Sequence, residues 1–124
     1  MPQKTICHFR KLAIVGSRTF NDYERMCKFI SENFNLDEIT HIVSGGARGA
    51  DALAEQFAKD YKKELIVFKA DWDKYGKKAG FMRNVDIIHE CDYCVAFWDG
   101  ISKGTKNDIE LCHQNNKDCK ICYF

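Results

Sequence analysis

Apolar positions along this chain alternate between two spacings. Short unbroken runs occur at Lys11-Leu12-Ala13-Ile14-Val15-Gly16, Thr40 to Ser44, Leu65-Ile66-Val67-Phe68, Tyr93 to Trp98 and Lys120 to Phe124. Unbroken runs of this length read as strands covered on both faces, as in a parallel sheet. Between them the spacing changes to three and four. Tyr23, Met26, Cys27, Ile30 and Phe34 form one helical stripe, and Leu53, Ala54, Phe57, Ala58 and Tyr61 form another, in a helix expected over residues 47–62. Phe81, Val85 and Ile88 predict the core positions of a helix over 79–90, and Ile109 and Cys112 mark a short one ending near Asn116. Asn21 followed by Glu24, and Thr105 followed by Asp108, read as helix starts. Residues 1–10 read as a lead-in with edge-strand character at Ile6 to Phe9.

Five strands alternating with four helices predict an α/β fold, a three-layer sandwich around a five-stranded, mainly parallel sheet with right-handed crossovers. Such sheets bind ligands at the carboxyl ends of their strands, where strand order reverses. The loops after strands one, two and four should therefore share one end of the sheet.

Composition narrows the class. The 124 residues suit a single domain over 1–124, and 45% hydrophobic with 30% charged residues suits a soluble globular chain. No apolar run approaches membrane-helix length, and no signal-peptide pattern opens the chain. A formal charge of +1 argues against a general nucleic-acid coat, though not against a local basic pocket. Seven cysteines without an export signal point to a reducing, cytoplasmic setting.

The chemistry concentrates in a few loops. Ser44-Gly45-Gly46-Ala47-Arg48-Gly49-Ala50-Asp51 joins a predicted strand to a predicted helix, where unpaired amides suit a phosphate or carboxylate. Structural tight-turn packing is the alternative. Ser44, Gly46 and Gly49, with Asp71 further on, also come close to a dinucleotide fingerprint, which keeps nicotinamide-type redox chemistry open. Arg18, Arg48 and Arg83 are cations suited to phosphate, or to surface ion pairs. Trp72 and Tyr75 lie among Lys74, Lys77 and Lys78 and read either as a lid stacking on a base, also able to meet single-stranded DNA, or as cover for the sheet edge. Asp51, Asp99 and Asp108 are the candidate carboxylates for glycosidic-bond chemistry, although an acid in a first helical turn also answers the helix dipole. Cys91 with Cys94 and Cys119 with Cys122 have zinc-type spacing, but residues three apart on a strand point to opposite faces. Neither a metal nor a cofactor is expected.

Four segments taken together resemble a known family. They are Ile14-Val15-Gly16-Ser17-Arg18, Ser44 to Asp51, Ala79-Gly80-Phe81-Met82-Arg83-Asn84 and Trp98-Asp99-Gly100-Ile101-Ser102-Lys103-Gly104-Thr105. In this order they are similar to the SLOG superfamily, which joins Smf/DprA proteins with LOG enzymes, and to its small stand-alone YspA-like branch. The resemblance implies a Rossmann-like domain holding a nucleotide or nucleotide derivative. Gly45, Gly46 and Gly49 would correspond to one phosphate turn, Gly104-Thr105 to the second, and Arg83-Asn84 to the Arg-Asn pair of DprA. LOG enzymes carry two acidic residues shortly after their Gly-Thr, where this chain has Asn107 and Asp108. Binding or sensing of a nucleotide is therefore the first expectation, through Gly16, Ser17, Arg18, Ser44, Gly45, Gly46, Arg48, Gly49, Asp51, Trp72, Arg83, Asn84, Asp99, Gly100, Ser102, Gly104 and Thr105. The alternatives are an N-glycosidic hydrolase using Arg83 and Asp108, and DprA-like binding of single-stranded DNA. A homodimer is expected, since relatives often pair.

Overall fold

The computed structural model describes residues 10–124. The expected edge strand at Ile6 to Phe9 lies outside the described residues. The elements run β1 (Arg10–Gly16), α1 (Tyr23–Asn33), β2 (Ile39–Ser44), α2 (Ala50–Asp60), β3 (Glu64–Val67), α3 (Trp72–Tyr75), a 3-10 turn (Gly76–Lys78), α4 (Ala79–Glu90), β4 (Tyr93–Trp98), α5 (Lys103–Gln114) and β5 (Asp118–Tyr123). The strands form one sheet in the order β3-β2-β1-β4-β5, and every pairing is parallel. The chain starts at the centre and builds outward twice, so strand order reverses between β1 and β4. This is the doubly wound arrangement that opens a crevice at the carboxyl ends of those two strands.

Alternate residues of the central strands feed two cores. Leu12, Ile14, Ile42, Val95 and Phe97 face Met26, Ile30, Ala54 and Phe57 of α1 and α2. Phe20 stacks on Phe97 with ring centroids 4.6 Å apart. On the other face Ala13, Val15, Val43, Cys94 and Ala96 meet Ile87, Ile88, Ile109 and Cys112 of α4 and α5. The edge strand β3 is less covered than its apolar run predicts, with Leu65 37% exposed.

Several helix starts differ from expectation. Asp22, not Asn21, caps α1, its carboxylate accepting from the Arg25 amide at 3.1 Å. Helix α2 starts at Ala50 rather than 47, because Gly49 holds a left-handed conformation at φ 72°. Helix α5 starts at Lys103 behind Ser102, which places Thr105 inside its first turn rather than at its cap. The charged loop 71–78 contains α3, capped by Asp71 accepting from the Lys74 amide at 3.1 Å. Helix α4 has the expected bounds but a different inward face. Ala79, Asn84, Ile87 and Ile88 are buried, while Phe81 and Val85 are exposed. Among the described residues, no helix is long and apolar enough to cross a membrane.

Candidate functional site

A cleft of about 390 Å³ opens at the reversal point between β1 and β4. The exit of β1 supplies Gly16, Ser17, Arg18 and Thr19. Ala47 and Asp51 come from the turn after β2, and Arg83, Asn84 and Ile87 come from α4. Asp99, Ser102, Gly104, Thr105 and Asp108 complete it from the loop after β4 and the start of α5.

Close packing behind β1 keeps this end open. A methyl group on Gly16 would lie 2.6 Å from the Phe97 carbonyl oxygen and 2.7 Å from Ala50 Cβ. The Ser17 amide donates to that same Phe97 oxygen at 2.9 Å. One on Gly49 would lie 2.4 Å from the Arg18 carbonyl oxygen. Both contacts are far inside van der Waals range, so β1, β4 and α2 meet through glycine.

The glycine turn after β2 uses its own donors. The Gly46 amide donates to Ser44 Oγ at 3.3 Å, and the Ala47 amide to Asp51 Oδ2 at 3.1 Å. The Ala50 amide donates to the Ser17 carbonyl at 3.3 Å. Asp51 Oδ2 thus takes up the Ala47 amide from within, a role open to an acid in a first helical turn. Ser44 is fully buried beneath the turn and outside the cleft lining. Arg48, Gly49 and Gly100 also fall outside it.

The start of α5 is arranged differently. Its first ladder bond runs from the Lys106 amide to the Ser102 carbonyl at 3.1 Å, so the amides of Lys103, Gly104 and Thr105 precede the ladder. Ser102 makes no side-chain cap bond, and a methyl on Gly104 would meet nothing within 4 Å. The loop leading there is tied by Asp99 Oδ1, which accepts from the Ile101 and Ser102 amides at 2.9 and 2.8 Å. Those two amides, Ser102 first, hold the Asp99 carboxyl below its ordinary range. Trp98 Nε1 fixes Ser102 from behind by donating to its carbonyl at 3.0 Å.

Arg83 forms the wall between the two loops. Its Nη1 donates to the Gly45 carbonyl at 3.0 Å, and its side chain covers the space a methyl on Gly45 would need. Among the described residues, buried Arg83 Nε has no hydrogen-bond partner and buried Ser17 Oγ makes no hydrogen bond of good geometry, although its hydroxyl helps to lower the Asp99 carboxyl. Asn84 Nδ2 donates to Gly104 O at 3.3 Å and Asn107 Oδ1 at 3.0 Å. With its amide turned over, the nitrogen instead reaches Asp108 Oδ1 and Gly80 O, each at 3.2 Å. Either orientation binds α4 to the first turns of α5.

Two acids face this group. Burial raises the Asp108 carboxyl well above its ordinary range, nearby Asp51 raises it further, and Arg83 opposes both. Asp51 is raised by burial against the pull of the Ala47 amide and Arg83. Both therefore resist ionisation, which spares the cleft a second full negative charge.

Beside the cleft, Arg18 and Arg83 also border a hollow of about 220 Å³ with Gly45, Gly46, Lys69 and Trp72. Trp72 is half-exposed, and its ring edge lies 3.2 Å from where Gly80 would carry a methyl. Tyr75 borders a neighbouring hollow with Lys69, Asp71 and Arg83. Ala47 entered the sequence-derived set as part of the turn after β2, while Thr19, Ile87 and Lys69 were absent from it. Only the adjacency of Thr19 to Arg18 could have signalled one of them.

The fold and site define a class: a Rossmann-like, doubly wound domain with a polar crevice at the point of strand reversal. A family model described as the YspA, cpYpsA-related SLOG family matches residues 10–75, and the chain belongs to that family. The Gene 61 protein of Mycobacterium phage D29 is 33% identical over 105 residues, covering 79% of this chain and 84% of that protein. Two solved structures share the fold. DNA processing protein A from Streptococcus pneumoniae has a TM-score of 0.74 at 20% identity over 93% of this chain. DNA processing protein A from Helicobacter pylori, described for its single-stranded DNA binding mode, has a TM-score of 0.67 at 19% identity over 90% of this chain. The chain spans 50% and 64% of their respective lengths.

Proposed function

We propose that the chain binds a nucleotide or nucleotide-derived ligand in the cleft between β1 and β4, as a binding or sensing protein. The carrying observation is the donor set around that cleft. The pre-ladder amides of Gly104 and Thr105 share it with the buried Ser17 Oγ and the buried, unpartnered Arg83 Nε. Such donors together suit a phosphate group. The first turn of α5 is the better seat for the phosphate, because in the turn after β2 the Gly46 and Ala47 amides already have acceptors. The base then extends past Arg18 and Arg83 toward Trp72, whose half-exposed ring offers a stacking face.

Asp108 supports a second reading, hydrolysis of an N-glycosidic bond. Burial raises the Asp108 carboxyl well above its ordinary range, and an acid so placed suits proton donation to a leaving base. A third reading, contact with single-stranded DNA, is favoured by the exposed Trp72, Tyr75 and the lysines around them, and by what is described for the Helicobacter pylori protein.

One set of measurements separates these readings. Thermal stabilisation by nucleoside mono- and diphosphates, lost in Arg83→Ala, supports the binding reading. Chromatography of the same mixtures reads out free base, and its release would move the assignment to a hydrolase. Salt-dependent retention of an oligodeoxynucleotide without stabilisation by any mononucleotide would favour DNA instead.

A further inference from the structure

The paired Cys-x-x-Cys motifs do not assemble as two knuckles. Cys122 lies on the α1–α2 side of the sheet, whereas Cys94, Cys112 and Cys119 pack on the α4–α5 side. Cys94 and Cys119 are register partners on β4 and β5, and Cys112 reaches them from α5. The three Sγ atoms lie within 4.8 Å of one another.

We propose that Cys94, Cys112 and Cys119 form a site for a thiophilic closed-shell cation, Zn²⁺ or Cu⁺. Three sulfurs on a tetrahedral zinc stand about 3.8 Å apart when each bond is about 2.3 Å, so sulfurs within 4.8 Å of one another have to draw in by at most about 1 Å. Soft thiolates select these two ions over the harder divalent cations. A disulfide would use two of the three sulfurs and leave the third unexplained. Cys94 and Cys112 are buried while Cys119 is half-buried, which gives an ion a route in and leaves a fourth position to water. The first thiol to bind does so as its thiolate and releases its proton to solvent. Each further thiol that binds does the same. Cys91 packs on the same side of the sheet but lies outside the trio, so it serves as the control.

The test uses the reduced, metal-free full chain. Zn²⁺ uptake is scored by competition with a chromogenic chelator, with Co²⁺ as a spectroscopic substitute, and Cu⁺ is titrated anaerobically against a cuprous chelator. One equivalent of either ion should be retained, with an intense thiolate-to-cobalt band if the site takes zinc. Cys112→Ser and Cys119→Ser should lose retention, and Cys91→Ser and Cys27→Ser should keep it. Should Cys112→Ser fail to fold by circular dichroism, half-buried Cys119→Ser decides alone. Retention of neither ion, or equal retention in Cys119→Ser and Cys91→Ser, overturns the proposal. So does a denatured thiol count two short before reduction, which would reveal a disulfide.

Discussion

Gly49 sits at φ 72°, and a methyl there would overlap the Arg18 backbone. Gly49→Ala should therefore cost at least about 2 kcal/mol by denaturant unfolding, whereas Gly100→Ala, in open space though also at positive φ, should cost about 1. Arg83 holds the Gly45 carbonyl and borders both hollows. Replacing it with alanine should weaken nucleotide binding at least about tenfold, the loss of one charge-assisted contact, as isothermal titration would read. Asp108 has a raised folded pKa, so its proton is retained in the folded chain and lost in the unfolded one above the ordinary carboxylate range. Its contribution to stability thus falls as pH rises through that window and levels off above the raised value. Asp108→Asn should melt higher than the parent at neutral pH, and the gap should close toward acid pH in a series of thermal melts.

At the scale of the elements, strands were the most legible. Runs such as Leu12 to Val15 and Val95 to Phe97 are buried on both faces, so period and composition agree. Phe97 illustrates the cost of disturbing them. It stacks on Phe20 and meets Phe29 edge-on with centroids 5.9 Å apart. Phe97→Ala should lose about 3–5 kcal/mol of unfolding free energy. Helix α4 was misread because Asn84 turns inward to hold α5, which rotates Phe81 and Val85 toward solvent. A polar residue committed to the site breaks the apolar stripe from which helix faces are read. The turn after β2 is hard to read from sequence for a related reason. Glycines and a following acid look alike whether the amides hold an outside anion or the acid itself, and only the Ala47 to Asp51 bond distinguishes them. Arg83 and Asn84 on α4, Asp99 after β4 and Asp108 on α5 could be singled out in sequence by residue type, and the structure brings them to one cleft. Thr19 and Ile87 could not, because their place in the cleft depends on how the loops close.

For the whole molecule, the half-exposed Phe81, Met82 and Val85 of α4 form an apolar face beside Trp72 and Tyr75. A homodimer, expected from the sequence alone, would form through this face. Light scattering after chromatography should find the monomer in Phe81→Glu and a concentration-dependent dimer in the parent.

The reversal of strand order has a mechanical consequence. The walls of the cleft come from separate halves of the chain, Gly16 to Asp51 on one side and Arg83 to Asp108 on the other. The sheet joins those halves through the single ladder of β1 with β4. An occupant would act as a strut across this seam and couple the opening of one half to that of the other. Amide hydrogen exchange would then slow together in α2 and α5, on opposite faces of the sheet, although neither helix lies across the whole cleft.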